Sequence, residues 1–282
     1  MQDANPILTY WRTELEVFNK NLLSLREQIN EDATHDLRVA IKKLRSCFRL
    51  YSGLIKKKQK KTLPPDLDSL FSILGKHRDI EMNKKLLLSF GGKNTTPLNP
   101  IVVYLQLLQD QSAEYSRPCI QQFDSKELDT LTNRIEADFE NLANEDVIIK
   151  TNETIDASIK QVEDDLKDFK KKFHLVRKRL KDVFYQSKMF HDKSMFTKPQ
   201  LKTLDTILDS LGSVHDHDVL VLNLKNFRKT ILANSMKEYA MIKRIEQRAK
   251  KKEDDLLEKA YKSTEELIAG YKKKNAEVDA SG

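Results

Sequence analysis

Two short motifs occur twice in this 282-residue chain, in the same order and at nearly the same spacing. His35-Asp-Leu-Arg38-Val-Ala-Ile-Lys42 and His174-Leu-Val-Arg177-Lys-Arg-Leu-Lys181 both read H-x-x-R-x-x-x-K. Downstream, Leu74-Gly75-Lys-His-Arg78-Asp79-Ile-Glu81 and Leu211-Gly212-Ser-Val-His215-Asp216-His-Asp218 both read L-G-x-x-[R/H]-D-x-[D/E]. From histidine to glycine the step is 40 residues in the first copy and 38 in the second. A duplication of this kind constrains the fold more than any single motif, because both copies must take up the same local structure. It divides the chain into a first repeat over 1–123 and a second over 124–282, which ends in a highly charged segment.

Both repeats read as helical. Glycine and proline number only 7 each, which disfavours Gly-rich phosphate loops and many-turned β folds. Pro64-Pro65, Gly91-Gly92 through Pro97 and Pro100, Pro118 and Pro199 are the breaks. Between them, helical periodicity predicts segments at about 6–30, 34–60, 66–89, 100–117, 125–142, 152–192, 200–232 and 235–274, with no alternating strand. Thr34 or Asp32 is the expected cap of the second segment. Leu128, Leu131, Ile135 and Phe139 share one stripe, and Trp11 and Cys47 read as core. Tyr239, Ile242, Leu256, Leu257 and Leu267 would pack the last helix against the body. Two cysteines cannot staple a fold of this size. With neither a signal-peptide pattern nor a run of about 18 apolar residues, the expectation is a cytoplasmic protein outside the membrane.

The charge is concentrated where the repeat lies. The net charge is +7 and the sequence pI about 9.1, which points to a polyanionic partner. On a helix starting at His35, Arg38, Lys42, Arg45 and Arg49 fall within a stripe about 80° wide. Leu37, Ile41, Leu44, Cys47, Phe48 and Tyr51 lie on the adjoining face. Like charges stacked at i,i+4 repel, so either acids on a neighbouring helix neutralise the stripe or an external anion does. The second copy keeps His174, Arg177, Lys181 and Lys188. It places Asp182 where Lys43 stands and Phe184 where Arg45 stands, which makes it the weaker binder. Gly75 and Gly212 allow close helix approach or a bend. Arg78 and His215 occupy matching positions, with Asp79 and Asp216 placed to orient them by charge-assisted hydrogen bonds.

The doubled H-x-x-R-x-x-x-K helix, followed in each copy by L-G-x-x-[R/H]-D, resembles the CHAD family of α-helical, histidine-containing domains. The likeness runs from about residue 1 to about residue 275. It implies an all-α fold of two four-helix bundles, related by a pseudo-two-fold repeat, with antiparallel helices around a basic central channel. It further implies non-catalytic binding of inorganic polyphosphate and association with polyphosphate granules and their proteins. Many such domains are fused to a triphosphate tunnel (CYTH) domain, a β-barrel with an E-x-E-x-K signature. Here Glu14-Leu-Glu16 lacks the lysine, so the expectation is the stand-alone form. The expected polyphosphate ligands are His35, Arg38, Lys42, Arg45, Arg49 and Arg78, with His174, Arg177, Lys181, Lys188 and His215 from the second copy. Protonation of His35 and His174 would tighten binding below about pH 6.5.

Two other classes compete. His35-Asp36, His191-Asp192 and His215-Asp216-His217-Asp218 are similar to the metal ligands of helical HD-type phosphohydrolases. These pairs do not follow the repeat, however, and cations crowd them, so neither metal nor cofactor is expected. The H-D-H-D run reads instead as the capped first turn of a helix. Non-specific nucleic-acid binding would use the same basic stripe. No aromatic is interleaved in that stripe to stack bases, so specific nucleic-acid recognition is not expected.

Overall fold

The computed structural model describes residues 5–55, 62–91, 98–139, 144–190, 195–231 and 237–279. Nine helices run through them: α1 (Pro6–Glu27), α2 (Glu31–Leu54), α3 (Pro65–Gly91), α4 (Asn99–Gln122), α5 (Lys126–Phe139), α6 (Asn144–Leu166), α7 (Phe169–Met189), α8 (Lys198–Thr230) and α9 (Lys237–Asp279). No strand occurs among the described residues, so the fold is all-α. Chain neighbours pack as pairs, α1 on α2, α3 on α4, α6 on α7 and α8 on α9. Two further contacts, α2 with α7 and α3 with α8, join helices that carry matching motifs.

The apolar stripes build three cores. Trp11, Phe18, Leu37, Ile41, Leu44, Cys47 and Tyr51 anchor the first, with the start of α3 and one face of α5. The α5 stripe Leu128, Leu131, Ile135 and Phe139 lies in it as its spacing requires. The second gathers Ile159, Val162, Val176, Leu180, Leu204 and Leu211 under Leu257, Leu267 and Tyr271 of α9. A third, from Leu87, Ile101, Leu105, Leu220, Leu224, Phe227, Ile242 and Ile245, forms where the α3–α4 and α8–α9 pairs meet. Each fully buried aliphatic side chain contributes about 1.5–3 kcal/mol of transfer free energy. Trp11 is wholly buried and its Nε1 donates to Thr132 Oγ1 at 2.9 Å, which ties α1 to α5.

Several local expectations need correction. The segment at 152–192 is two helices. α6 starts at Asn144, and the chain turns at Lys167–Asp168 through tight bonds from Lys167 N and Asp168 N to the carbonyls of Asp164 and Asp165. Neither glycine nor proline marks this turn; a short 3₁₀-type exit suffices, and Asp168 leads into α7 without a side-chain capping bond. Pro118 does not end a helix either. It lies inside α4, whose exposed terminal carbonyls are taken up by Arg26. That side chain donates from Nε to Ile120 O (3.2 Å) and from Nη2 to Phe123 O (2.7 Å). The cap of α2 is Asn30, whose Oδ1 accepts from Ala33 N at 2.9 Å, rather than Thr34 or Asp32. α2 closes at Leu54, short of residue 60. His191-Asp192 and the stretch from Gly92 to Pro97 lie outside the described residues.

Candidate functional site

The two motifs of each copy meet face to face. A Cβ placed on Gly75 would lie 2.6 Å from Arg38 Nη1, and one on Gly212 would lie 3.3 Å from Arg177 Nη2. The glycine of the second motif is therefore the seat of the arginine of the first, on the helix packed behind it. This is why the motifs travel together some 40 residues apart. Neither glycine interrupts its helix: α3 and α8 are continuous through them. Arg38 is fixed further by donating from Nη1 to the Phe71 carbonyl at 2.6 Å.

Phe71, one turn before Gly75, also supplies a platform. Its ring centroid lies 4.4 Å from the Arg38 guanidinium carbon, 4.2 Å from that of Arg45 and 5.9 Å from Lys42 Nζ. Cations over an aromatic face gain about 0.5–2 kcal/mol each. In the second copy Leu208 stands at the position of Phe71, and the aromatic comes from α7 instead. There Lys188 Nζ lies 4.1 Å over the Phe184 ring. The loss of a cation at Phe184 is thus accompanied by an aromatic support for the next one.

Between α2 and α7 opens a cavity of about 240 Å³. Lys42, Arg45 and Arg49 line one side; His174, Arg177, Lys178 and Lys181 line the other, with Phe71, Tyr185 and Asp182 completing the wall. Acids meet the cations at its edge. Arg45 pairs with Asp68, and Arg49 pairs across the two copies with Asp182. The residue that breaks the second motif is thus the partner of an arginine in the first.

The centre of the cleft is different. Among the described residues, Lys42, Arg177 and Lys181 form no ion pair, and Arg177 Nε is buried without a hydrogen-bond partner. Burial, then the charges of Arg38 and Arg177, pull Lys42 down to about 8. Burial, then Lys42, Arg177 and Arg38, pull Lys181 down to about 6. Burial lowers Arg38 and Arg177 as well. The stripe is therefore ion-paired at its rim, whereas in the middle Asp79 and Asp216 act on the cations without forming an ion pair with Lys42, Arg177 or Lys181.

The remaining candidates fall around this centre. His35 is exposed near the start of α2, where burial and the charges of Arg78 and Lys42 lower its pKa. Protonation of His35 therefore belongs below the ordinary imidazole range. Arg78 is tied to Glu31 (2.6 Å) and Glu81 (3.4 Å), so it braces α3 against α2 outside the cleft wall. Asp79 does not orient Arg78. Its half-buried carboxyl, raised by desolvation, faces His215, Arg38, Asp216 and Lys42. His215 stands edge-on to His174 at 5.6 Å, and burial and Arg177 lower its pKa. Lys188 is exposed and lies beyond the cavity wall.

The H-D-H-D run lies in the middle of α8, not in its first turn. It is split between two environments. His215 and Asp216 face Arg177, whereas His217 turns to Phe90 and the Ser213 carbonyl. Sequence reasoning missed Phe71 and Tyr185 because both are uncharged. The available signal for Phe71 was an aromatic one helical turn before Gly75, which the second copy lacks because Leu208 stands there.

Comparison with known proteins bears on the family and the fold. A family model described as CHAD domain matches residues 9–225. The crystal structure of the CHAD domain from the plant Ricinus communis superposes with a TM-score of 0.66 at 16% identity, over 94% of this chain and 90% of that one. A comparison with curated protein sequences gives no match.

Proposed function

The chain belongs to the CHAD family, and from that premise we propose that it binds inorganic polyphosphate, without catalysis, in the cleft between α2 and α7. The observation that carries this reading is the unpaired group Lys42, Arg177 and Lys181, contributed by both copies and backed by Arg38. Taking cations out of water next to one another costs several kcal/mol unless an anion accompanies them. A phosphate chain supplies that anion. It carries about one charge per phosphate and no base edges, so spaced donors suffice: arginine as a bidentate fork and lysine as a mobile point charge. Neighbouring side chains about 5–6 Å apart along a helix suit successive phosphates. In a cell, such a domain would collect where polyphosphate collects, including granules.

The other readings account for less. A metal-dependent hydrolase would need the His and Asp residues of the H-D-H-D run to converge, and they diverge. A nucleic-acid binder would need a free aromatic face, whereas guanidinium groups already lie against Phe71. The experiment is a titration with long-chain polyphosphate over a salt series, with duplex DNA as competitor. The expected result is binding that weakens steeply with salt, as counterion release requires, and that DNA barely displaces. Equal displacement by DNA would reduce the cleft to a generic polyanion surface. Absence of binding at low salt would overturn the reading.

A further inference from the structure

A second basic cavity, of about 520 Å³, lies where α9 crosses the end of α3. It shares no lining residue with the cleft. Phe90 organises it. The Arg248 guanidinium lies 5.4 Å over the Phe90 ring, and its Nη1 donates to the Phe90 carbonyl at 3.1 Å. His217, only 7% exposed, packs edge-on to the same ring at 5.9 Å. Its Nδ1 lies 2.7 Å from the Ser213 carbonyl and donates to it, which fixes the ring beside the cavity as a reporter of what enters. Lys251 and Lys252 are exposed on the same wall and form no ion pair among the described residues. The nearby acids are mostly engaged elsewhere: Glu253 and Asp254 with Lys250, and Glu246 with Arg228. Asp255 alone lines the cavity as a carboxylate.

We propose that this cavity is a second anion site, which takes a compact phosphate anion such as pyrophosphate. A guanidinium held in place by one aromatic ring presents a fixed fork with four N–H groups still free. Two lysines beside it add mobile charge. Three cations, Arg248, Lys251 and Lys252, outnumber the one carboxylate, Asp255, on this short stretch of wall, which suits a short, highly charged anion. The site stands on its own residues and does not depend on what the cleft binds.

The test follows the His217 ring by NMR in the full chain during titration with pyrophosphate, at constant ionic strength held with chloride. The chain has six histidines, and His217→Asn identifies the signal. The expected result is a saturable shift of His217 that persists unchanged in Lys42→Met/Lys181→Met. It should weaken by at least about tenfold, the loss of a charge-assisted hydrogen bond, in Arg248→Ala. A similar loss is expected in Lys251→Ala/Lys252→Ala, which removes no hydrogen bond or ion pair among the described residues. A His217 signal that stays fixed up to millimolar pyrophosphate, or a shift that both sets of variants leave intact, would overturn the proposal. Failure of the cleft reading would be seen separately, as a His174 signal left unmoved by long-chain polyphosphate in a parallel titration.

Discussion

Lys181 shows how a residue proposed to bind an anion can work against the fold that holds it. Burial, then the neighbouring charges of Lys42, Arg177 and Arg38, pull its ammonium down to about 6, far below the ordinary lysine value of 10.5. The unfolded chain therefore binds a proton that the folded chain releases, and stability falls as pH drops from about 10.5 towards 6. Lys181→Met removes that penalty. It should raise stability at pH 7 by roughly 1–2 kcal/mol, with a gain that grows as pH falls from 9 to 6, while weakening polyphosphate binding. Chemical denaturation at pH 9, 7 and 6 checks the trend, and a gain independent of pH would contradict it. Phe71 is the converse case, an uncharged residue that positions charges. Phe71→Leu should lower polyphosphate affinity several-fold through the loss of two close cation–π contacts, with the salt slope of binding unchanged. Charge patterning exposed the cations in the sequence. It could not expose Phe71, whose part depends on packing between two helices.

At the scale of elements, the pairing of α2 with α3 and of α7 with α8 rests on the two motif glycines. Gly75→Ala and Gly212→Ala both gain helix propensity, about 1 kcal/mol each. At Gly75 the new methyl would meet Arg38 Nη1 at 2.6 Å, so Arg38 must leave its place on the Phe71 carbonyl. The gain is then offset by a lost hydrogen bond of about 0.5–1.5 kcal/mol, and binding should weaken. At Gly212 the neighbour lies at 3.3 Å and needs to give only slightly. That variant should be more stable and bind almost as the parent does. Thermal melts with a binding titration distinguish the two; equal loss of binding in both would contradict the account. Most elements were legible because their apolar stripes repeat at 3.6 residues, as in α2 and α5. The turn at Lys167–Asp168 was not, since no residue there forbids a helix and only the fold-back of α6 on α7 demands a break. Pro118 misled for the opposite reason: a proline in the last turns of a helix forfeits one bond and leaves the packing intact.

For the whole molecule, duplication brings two moderately basic helices into one strongly basic cleft. The Arg49–Asp182 pair joins the copies across it, and Asp79 and Asp216 lie within electrostatic reach of each other and of cations on both. The repeat itself could be read directly from the chain, and so could most of the cleft's cations. The division between paired rim and unpaired centre could not, because Asp68 and Asp182 reach their arginines only through the tertiary fold. A measurement of protons exchanged on binding tests that centre most directly. Long-chain polyphosphate is titrated calorimetrically at pH 7 in two buffers of different ionisation enthalpy. With Lys181 mostly neutral beforehand and charged against phosphate afterwards, the account predicts uptake of about one proton per cleft filled. Uptake should be abolished in Lys42→Met/Lys181→Met together with most of the affinity. Tight binding with no proton uptake, or undiminished binding by the double variant, would contradict the claim that the anion lies between α2 and α7.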